Sequence, residues 1–168
     1  LKRVDEDEDF GLCIDCGECI NVCPENVFVP LTDSLDDFKS FKFHMAMPSN
    51  ILYTQFGPSV HPLVIHQGLK NLGFDEIVDV ASLCDEVGYA LHYHMKTHPD
   101  VRPIISSFCP AIVRFIQVSY PNLVKNLEAL DVPREIAARE AKKLYSKKLG
   151  LKEEEIGVIY ITPCTAKM

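Results

Sequence analysis

The spacing of apolar residues changes character near residue 40. Upstream, residues 10–30 scatter single apolar side chains among cysteines, and Leu31 to Ser40 is a polar connector with room for one helical turn. Downstream the pattern becomes periodic. Phe41 to Met47 reads as a short strand stopped by Pro48, which has no N–H to give to a ladder. Ser49 to Gly57 reads as a loop. Leu63, Val64, Leu69 and Leu72 recur at helical spacing, so 61–72 is predicted as a helix that Gly73 stops. Glu76 to Val80 is a short apolar strand, 81–95 a second helix, Thr97 to Asp100 a turn, and Arg102 to Ser106 a third strand. Pro110 opens a helix to about Ser119, because its missing N–H would be unbonded at the first helical position anyway. Residues 121–130 form a further helical stretch. Pro133 starts another helix, with Ala137, Ala141, Leu144 and Tyr145 on one face and Gly150 as its stop. Ile156 to Thr162 is a continuous apolar run of the buried parallel type. Strands alternating with helices predict an α/β fold, a mostly parallel sheet flanked by helices over residues 41–168, with a separate small segment over 1–40.

Composition narrows the classes. The chain has 168 residues, 47% hydrophobic and 24% charged, as expected of a globular protein with one proper core. A net charge of −7 argues against nucleic acid as a partner. No apolar run approaches the length of a membrane span, and the acidic N-terminus, residues 1–9, carries no signal-peptide pattern and reads as a solvated tail. Seven cysteines, four of them bunched, fit metal ligation in a reducing cytoplasm better than a disulfide framework.

The bunched four are Cys13, Cys16, Cys19 and Cys23, followed by Pro24. Their spacing is the C-x₂-C-x₂-C-x₃-C-P run of bacterial ferredoxins, which binds a 4Fe-4S cluster. Three thiolates two residues apart can ligate three irons of one cubane. The fourth is turned toward another cluster, whose remaining ligands would lie upstream of residue 1, in a longer protein. Gly17 fits the tight wrapping, since glycine tolerates positive φ and leaves space for the cluster sulfides. A structural zinc site uses two separated cysteine pairs and matches poorly.

A second constellation lies at predicted strand ends, where α/β sheets place their sites. Cys109 follows the third strand and caps the helix that Pro110 opens, where the helix dipole favours a thiolate. Cys164 follows the last strand after Pro163, with Lys167 three residues on. The two thiols are expected to converge on one crevice as metal ligands. Taken singly, each is also compatible with an ordinary free cysteine, and Cys84, inside the second helix, is read as structural.

Cys109-Pro110 before an apolar helix, and Pro163-Cys164-Thr165-Ala166-Lys167 after a strand, resemble the first two H-cluster motifs of the iron-only hydrogenases. The likeness extends to Asp33–Asp37, Leu52–Gly57, Leu72–Asp75 and Tyr120–Leu123, and the ferredoxin run stands before them in family order. It is nearest the sensory branch. The resemblance implies that residues 41–168 are the N-terminal half of the C-terminal domain of the hydrogenase large subunit. It implies that Cys109 and Cys164 are two of the four thiols of the H-cluster cubane, and that Lys167 hydrogen-bonds a cyanide on the diiron part. A cationic donor suits that anionic ligand. Cys13, Cys16, Cys19 and Cys23 would then form the electron relay, with ferredoxin as electron donor or acceptor.

Two departures matter. Catalytic members place a proton-relaying cysteine where this chain has Phe108, and paired glutamates on the preceding helix where this chain offers Asp85 and Glu86, then Leu91, His92 and His94. The third H-cluster motif does not occur before Met168, so a complete H-cluster is expected only in a full-length protein. Three readings follow: a piece of a hydrogenase catalysing 2H⁺ + 2e⁻ ⇌ H₂, a sensory module for H₂ or redox state coupled to a signalling domain, and an iron–sulfur assembly protein without a diiron site.

Overall fold

A computed structural model describes residues 2–3 and 11–167. Apart from residues 2–3, the acidic tail falls outside the described residues. The chain divides into two compact units. One comprises Ser34–Tyr89 and Asp131–Pro163, the other Leu1–Asp33, Ala90–Leu130 and Cys164–Met168.

The first unit holds a three-stranded parallel sheet in the order Glu76–Ile77, Phe43–Pro48, Ile156–Ile161. The central strand pairs along its whole length with the last, Phe43 opposite Ile156 through Pro48 opposite Ile161. Glu76 and Ile77 pair with Met45 and Ala46 on its other edge, and Met45, Ala46 and Met47 are buried as a central parallel strand requires, as is Ile156 at the start of the neighbouring strand. Pro48 sits at the strand's last position, and Ser49 then donates its N–H to Ile161 O at 2.9 Å, continuing the ladder past the proline. The strand predicted at 76–80 is limited to two residues.

The helix predicted at 61–72 spans Pro62–Asn71, with His61 Nδ1 accepting the N–H of Leu63 and Gly73 leaving at φ 107°. Its buried face differs from the predicted stripe. Ile65 and Leu69, one turn apart, are buried, whereas Leu63, Val64 and Leu72 are exposed. Along Pro133–Leu149, Ala137 is buried and Tyr145 stacks on Phe43, but Leu144 points to solvent. That helix ends at Gly150 in the left-handed conformation, φ 69°, a position glycine occupies without steric cost. The expected loop after Pro48 contains a short helix, Asn50–Thr54, started by extended Ser49. The connector's helical turn is Leu35–Phe38, closed by a capping box between Ser34 and Asp37.

The second unit is built from short pieces. Lys2–Arg3 pairs antiparallel with Phe28–Val29, and Glu18–Val22 is a short helix. The helix Cys84–Thr97 is preceded by the 3₁₀ turn Ala81–Leu83, and the division between units falls at Tyr89. The strand predicted at 102–106 does not join the sheet. It makes a single parallel bridge, Ile105 to Leu127, with the N–H and C=O of Ile105 bonded to Asn126 O and Glu128 N–H, and Pro103 near its start has no N–H to donate. The helical stretch predicted at 121–130 is a 3₁₀ turn that ends at Asn126, so that Leu127 is extended to meet Ile105. Pro110–Ser119 is helical as expected.

Candidate metal centre

The ferredoxin run is a sharply turned loop followed by a helical turn. Asp15 and Gly17 both lie in the left-handed region, at φ 56° and 80°, which a short-chain Asp tolerates and glycine adopts freely. The turn is tightened by Asp15 N–H donating to Cys13 Sγ at 3.4 Å. Gly17 caps the helix Glu18–Val22, and its carbonyl accepts the N–H of Ile20 at 3.0 Å. A Cβ on Gly17 would stand 2.5 Å from Thr165 Oγ1 and 3.0 Å from its Cγ2. The space that this glycine leaves is thus taken by a threonine from the far end of the chain.

Cys23 is the C-cap of that helical turn, and backbone N–H groups of the residues that follow lie near its thiol. The N–H of Val27 chiefly, assisted by those of Glu25, Asn26 and Phe28, holds its thiol below the ordinary cysteine range, against the opposing effect of burial. Amides aimed at sulfur favour thiolate, the form that ligates iron. Among the described residues no three His, Cys, Asp or Glu side chains already converge in metal-binding geometry. In donor type, spacing and the amides around Cys23, the run nevertheless fits a cubane.

Cys109 and Cys164 belong to the same compact unit as this run. Cys109 is the N-cap of Pro110–Ser119, with φ −105° and ψ 106°, and its carbonyl accepts the N–H of Val113 at 3.1 Å. It does not follow a strand of the sheet, contrary to the sequence expectation. Cys164 does follow one, Ile156–Ile161, and leads into the 3₁₀ turn Thr165–Lys167, where Lys167 N–H donates to Cys164 O at 3.0 Å. The helix headed by Cys109 packs on that turn. Phe108 stands immediately before Cys109, partly exposed, its N–H directed at Ser106 Oγ. Cys84 is exposed at the start of its own helix, its thiol donating to Val80 O at 3.7 Å, and does not fill an interior position. None of the seven cysteines is in a disulfide.

Three residues of this unit make or lack contacts that the sequence does not spell out. Arg114 donates from its guanidinium to Gly11 O at 3.0 Å and Cys13 O at 3.4 Å. Thr165 Oγ1 donates to Asp15 O at 2.9 Å. Glu128 is 5% exposed, and neither carboxylate oxygen has a partner among the described residues. Burial pushes its carboxyl above the ordinary range, with His94 pulling weakly the other way. His94 itself stacks on His98.

Residues 42–168 match the family described as iron only hydrogenase large subunit, C-terminal domain. The chain belongs to that family. This iron-only hydrogenase-like chain also matches the 4Fe-4S binding domain over residues 7–29, which contain all four cysteines of the run. It is 24% identical over 180 residues to the NADP-reducing hydrogenase subunit HndD of Solidesulfovibrio fructosivorans, an alignment covering 93% of this chain and 30% of the relative. It is 30% identical over 107 residues to iron hydrogenase 1 of Clostridium pasteurianum, covering 61% and 18%. It is likewise 31% identical over 108 residues to the cytosolic Fe-S cluster assembly factor nar1 of Emericella nidulans, covering 60% and 18%. A solved variant of the FeFe-hydrogenase HydA1 from Chlamydomonas reinhardtii shares the fold, with TM-score 0.61 and 24% identity over 80% of this chain and 36% of that one. The hydrogenase-like chain therefore spans less than a third of the length of these curated relatives. No helix among its described residues is long and apolar enough to cross a membrane.

Proposed function

We propose that the chain is an electron-transfer and cluster-bearing part of a hydrogenase-type protein. Cys13, Cys16 and Cys19 hold a 4Fe-4S cluster, Cys23 faces a neighbouring cluster, and Cys109 and Cys164 supply two thiols to an H-cluster-type site. Such a site, when bound, supplies reversible reduction of protons to H₂. Lys167 would be the cationic donor to an anionic ligand of its diiron part. Electrons enter or leave through the ferredoxin run, with ferredoxin as the external partner, in the cytoplasm. The observation that carries this reading is the gathering of six cysteines into one compact unit. They come from three separated stretches, and the helix headed by Cys109 packs on the turn after Cys164.

Two other readings share these ligands. Phe108 has no proton to give, which favours a sensory role with slow turnover and a signalling domain as partner. The likeness to nar1 favours an assembly role without a diiron unit. Infrared spectroscopy of the anaerobically matured full-length protein separates them. Bands from metal-bound CO and cyanide support an H-cluster, after which an H₂ assay distinguishes catalyst from sensor. A silent spectrum with iron present overturns the H-cluster assignment and leaves the assembly reading.

A further inference from the structure

Arg114 and Thr165 are separated by about fifty positions, yet both spend their side-chain donors on the same short stretch of the ferredoxin run. Arg114 takes the carbonyls of Gly11 and Cys13, and Thr165 takes the carbonyl of Asp15. The carbonyls of Gly11 and Cys13 lie just ahead of the turn, and that of Asp15 lies within it, since Asp15 is left-handed and Gly17 follows at φ 80°. Each donor also belongs to an element carrying a cysteine of the second pair. Arg114 lies in the helix that Cys109 caps, and Thr165 is bonded directly to Cys164. The missing Cβ of Gly17 admits Thr165 to within 2.5 Å of where that atom would stand, so the approach is close-packed as well as hydrogen-bonded.

We infer that Arg114 and Thr165 are positioning residues that couple occupancy of the ferredoxin run to the order of the Cys164 turn. The inference rests on the cluster-binding reading of the run. Folding Cys13–Cys19 around a cluster fixes the Asp15 carbonyl, and a fixed carbonyl holds Thr165 and with it the turn Thr165–Lys167. Linkage makes the effect reciprocal: whatever orders the Cys164 turn favours the run in its cluster-binding form. Loading the first cluster thereby prepares the second pair of thiols.

The test is amide hydrogen exchange on this chain, before and after anaerobic reconstitution with ferrous iron and sulfide. Iron content and the broad visible absorbance of the cluster are followed in parallel. Loading is expected to slow exchange at residues 165–167 by about fivefold or more, the low end of typical coupling. Thr165→Val removes the hydroxyl at nearly constant volume and is expected to abolish that slowing. Thr165→Ser restores the donor and is expected to restore it, a rescue that loss of packing alone would not give. Arg114→Lys, which keeps the charge but not the two-pronged donor, is expected to loosen residues 11–15. If iron loads normally while 165–167 exchange at an unchanged rate, or if the Val and Ser variants behave alike, the coupling is overturned and the cluster reading stands. If the chain binds no iron at its four clustered cysteines, the reading falls and the coupling with it.

Discussion

Glu128 makes the sharpest energetic prediction. Its backbone is locked: its N–H donates to Ile105 O at 2.8 Å, and Ile105 N–H donates to Asn126 O at 2.8 Å. Asn126 is equally buried but satisfied, since Nδ2 donates to Pro103 O at 2.8 Å. Glu128 has no such outlet for either carboxylate oxygen among the described residues. A buried polar group without a partner costs about 1–3 kcal/mol, more if it is charged. Because burial raises the folded-state pKa above the unfolded value, the folded chain holds this proton more tightly. Stability from this group is therefore fully present below the unfolded pKa, near 4.3, and is lost as pH rises through the folded pKa.

The perturbation is Glu128→Gln, which keeps the shape and removes the titration. The two chains should be nearly equally stable at about pH 4.5 and should diverge as pH rises, the Gln variant gaining about 1–3 kcal/mol by about pH 8. In urea, with a slope of roughly 2 kcal/mol per molar, that corresponds to a midpoint shift of roughly 0.5–1.5 M. Glu128→Met removes the polar atoms altogether and should stabilise at both pH values. An Asp or Glu titration elsewhere would appear in all three chains and cancel in the comparison. A Glu-to-Gln difference that is flat with pH, or a Gln variant less stable at about pH 8, refutes the reasoning, because either would mean that the carboxylate has a partner.

Two further predictions concern a close contact and the chemistry. At Gly157, paired with His44 on the last strand, an added Cβ would stand 2.5 Å from Phe41 Cδ2 and 2.7 Å from Cγ. Gly157→Ala should cost about 1–3 kcal/mol by overpacking, lowering Tm by roughly 2–4 °C per kcal/mol for a chain of this size. Combining it with Phe41→Leu should recover part of the loss, and an unchanged Tm in the single variant would remove the steric argument. Phe108→Cys, made in the matured full-length protein, should raise H₂ evolution by a factor on the order of 10², the scale of one well-placed proton relay. An unchanged rate, with the infrared bands intact, would show that Phe108 does not limit proton delivery.

Local chemistry was readable in the sequence, and tertiary pairing was not. Pro110, Pro133 and Gly150 mark helix ends by what a missing N–H or a missing Cβ permits, and the helices begin and end there. The strands at 43–48 and 156–161 were legible because buried parallel strands need continuous apolar runs. Arg102 to Ser106 carries a similar run, but whether a run joins the sheet depends on donors offered to a neighbour, and Pro103 offers none. Leu63 and Val64 misled for a related reason. Helical spacing defines several candidate faces, and only packing selects the one through Ile65 and Leu69.

The candidate site divides along the same line. The spacing of Cys13, Cys16, Cys19 and Cys23 is itself the chemical constraint, so it could be read directly. Gly17 was legible as a glycine that must turn, but not for the second thing it does. Its bare α-carbon lets Thr165 approach, and the hydrogen bond from Thr165 to Asp15 joins residues 150 positions apart. No periodicity encodes a link of that length, and a threonine beside a cysteine is ordinary by itself. The two cysteine motifs look independent along the chain, yet the donors beside the second are committed to carbonyls of the first. A substitution at Thr165 should therefore be judged by its effect on the loop at 13–17 as much as by its effect on Cys164.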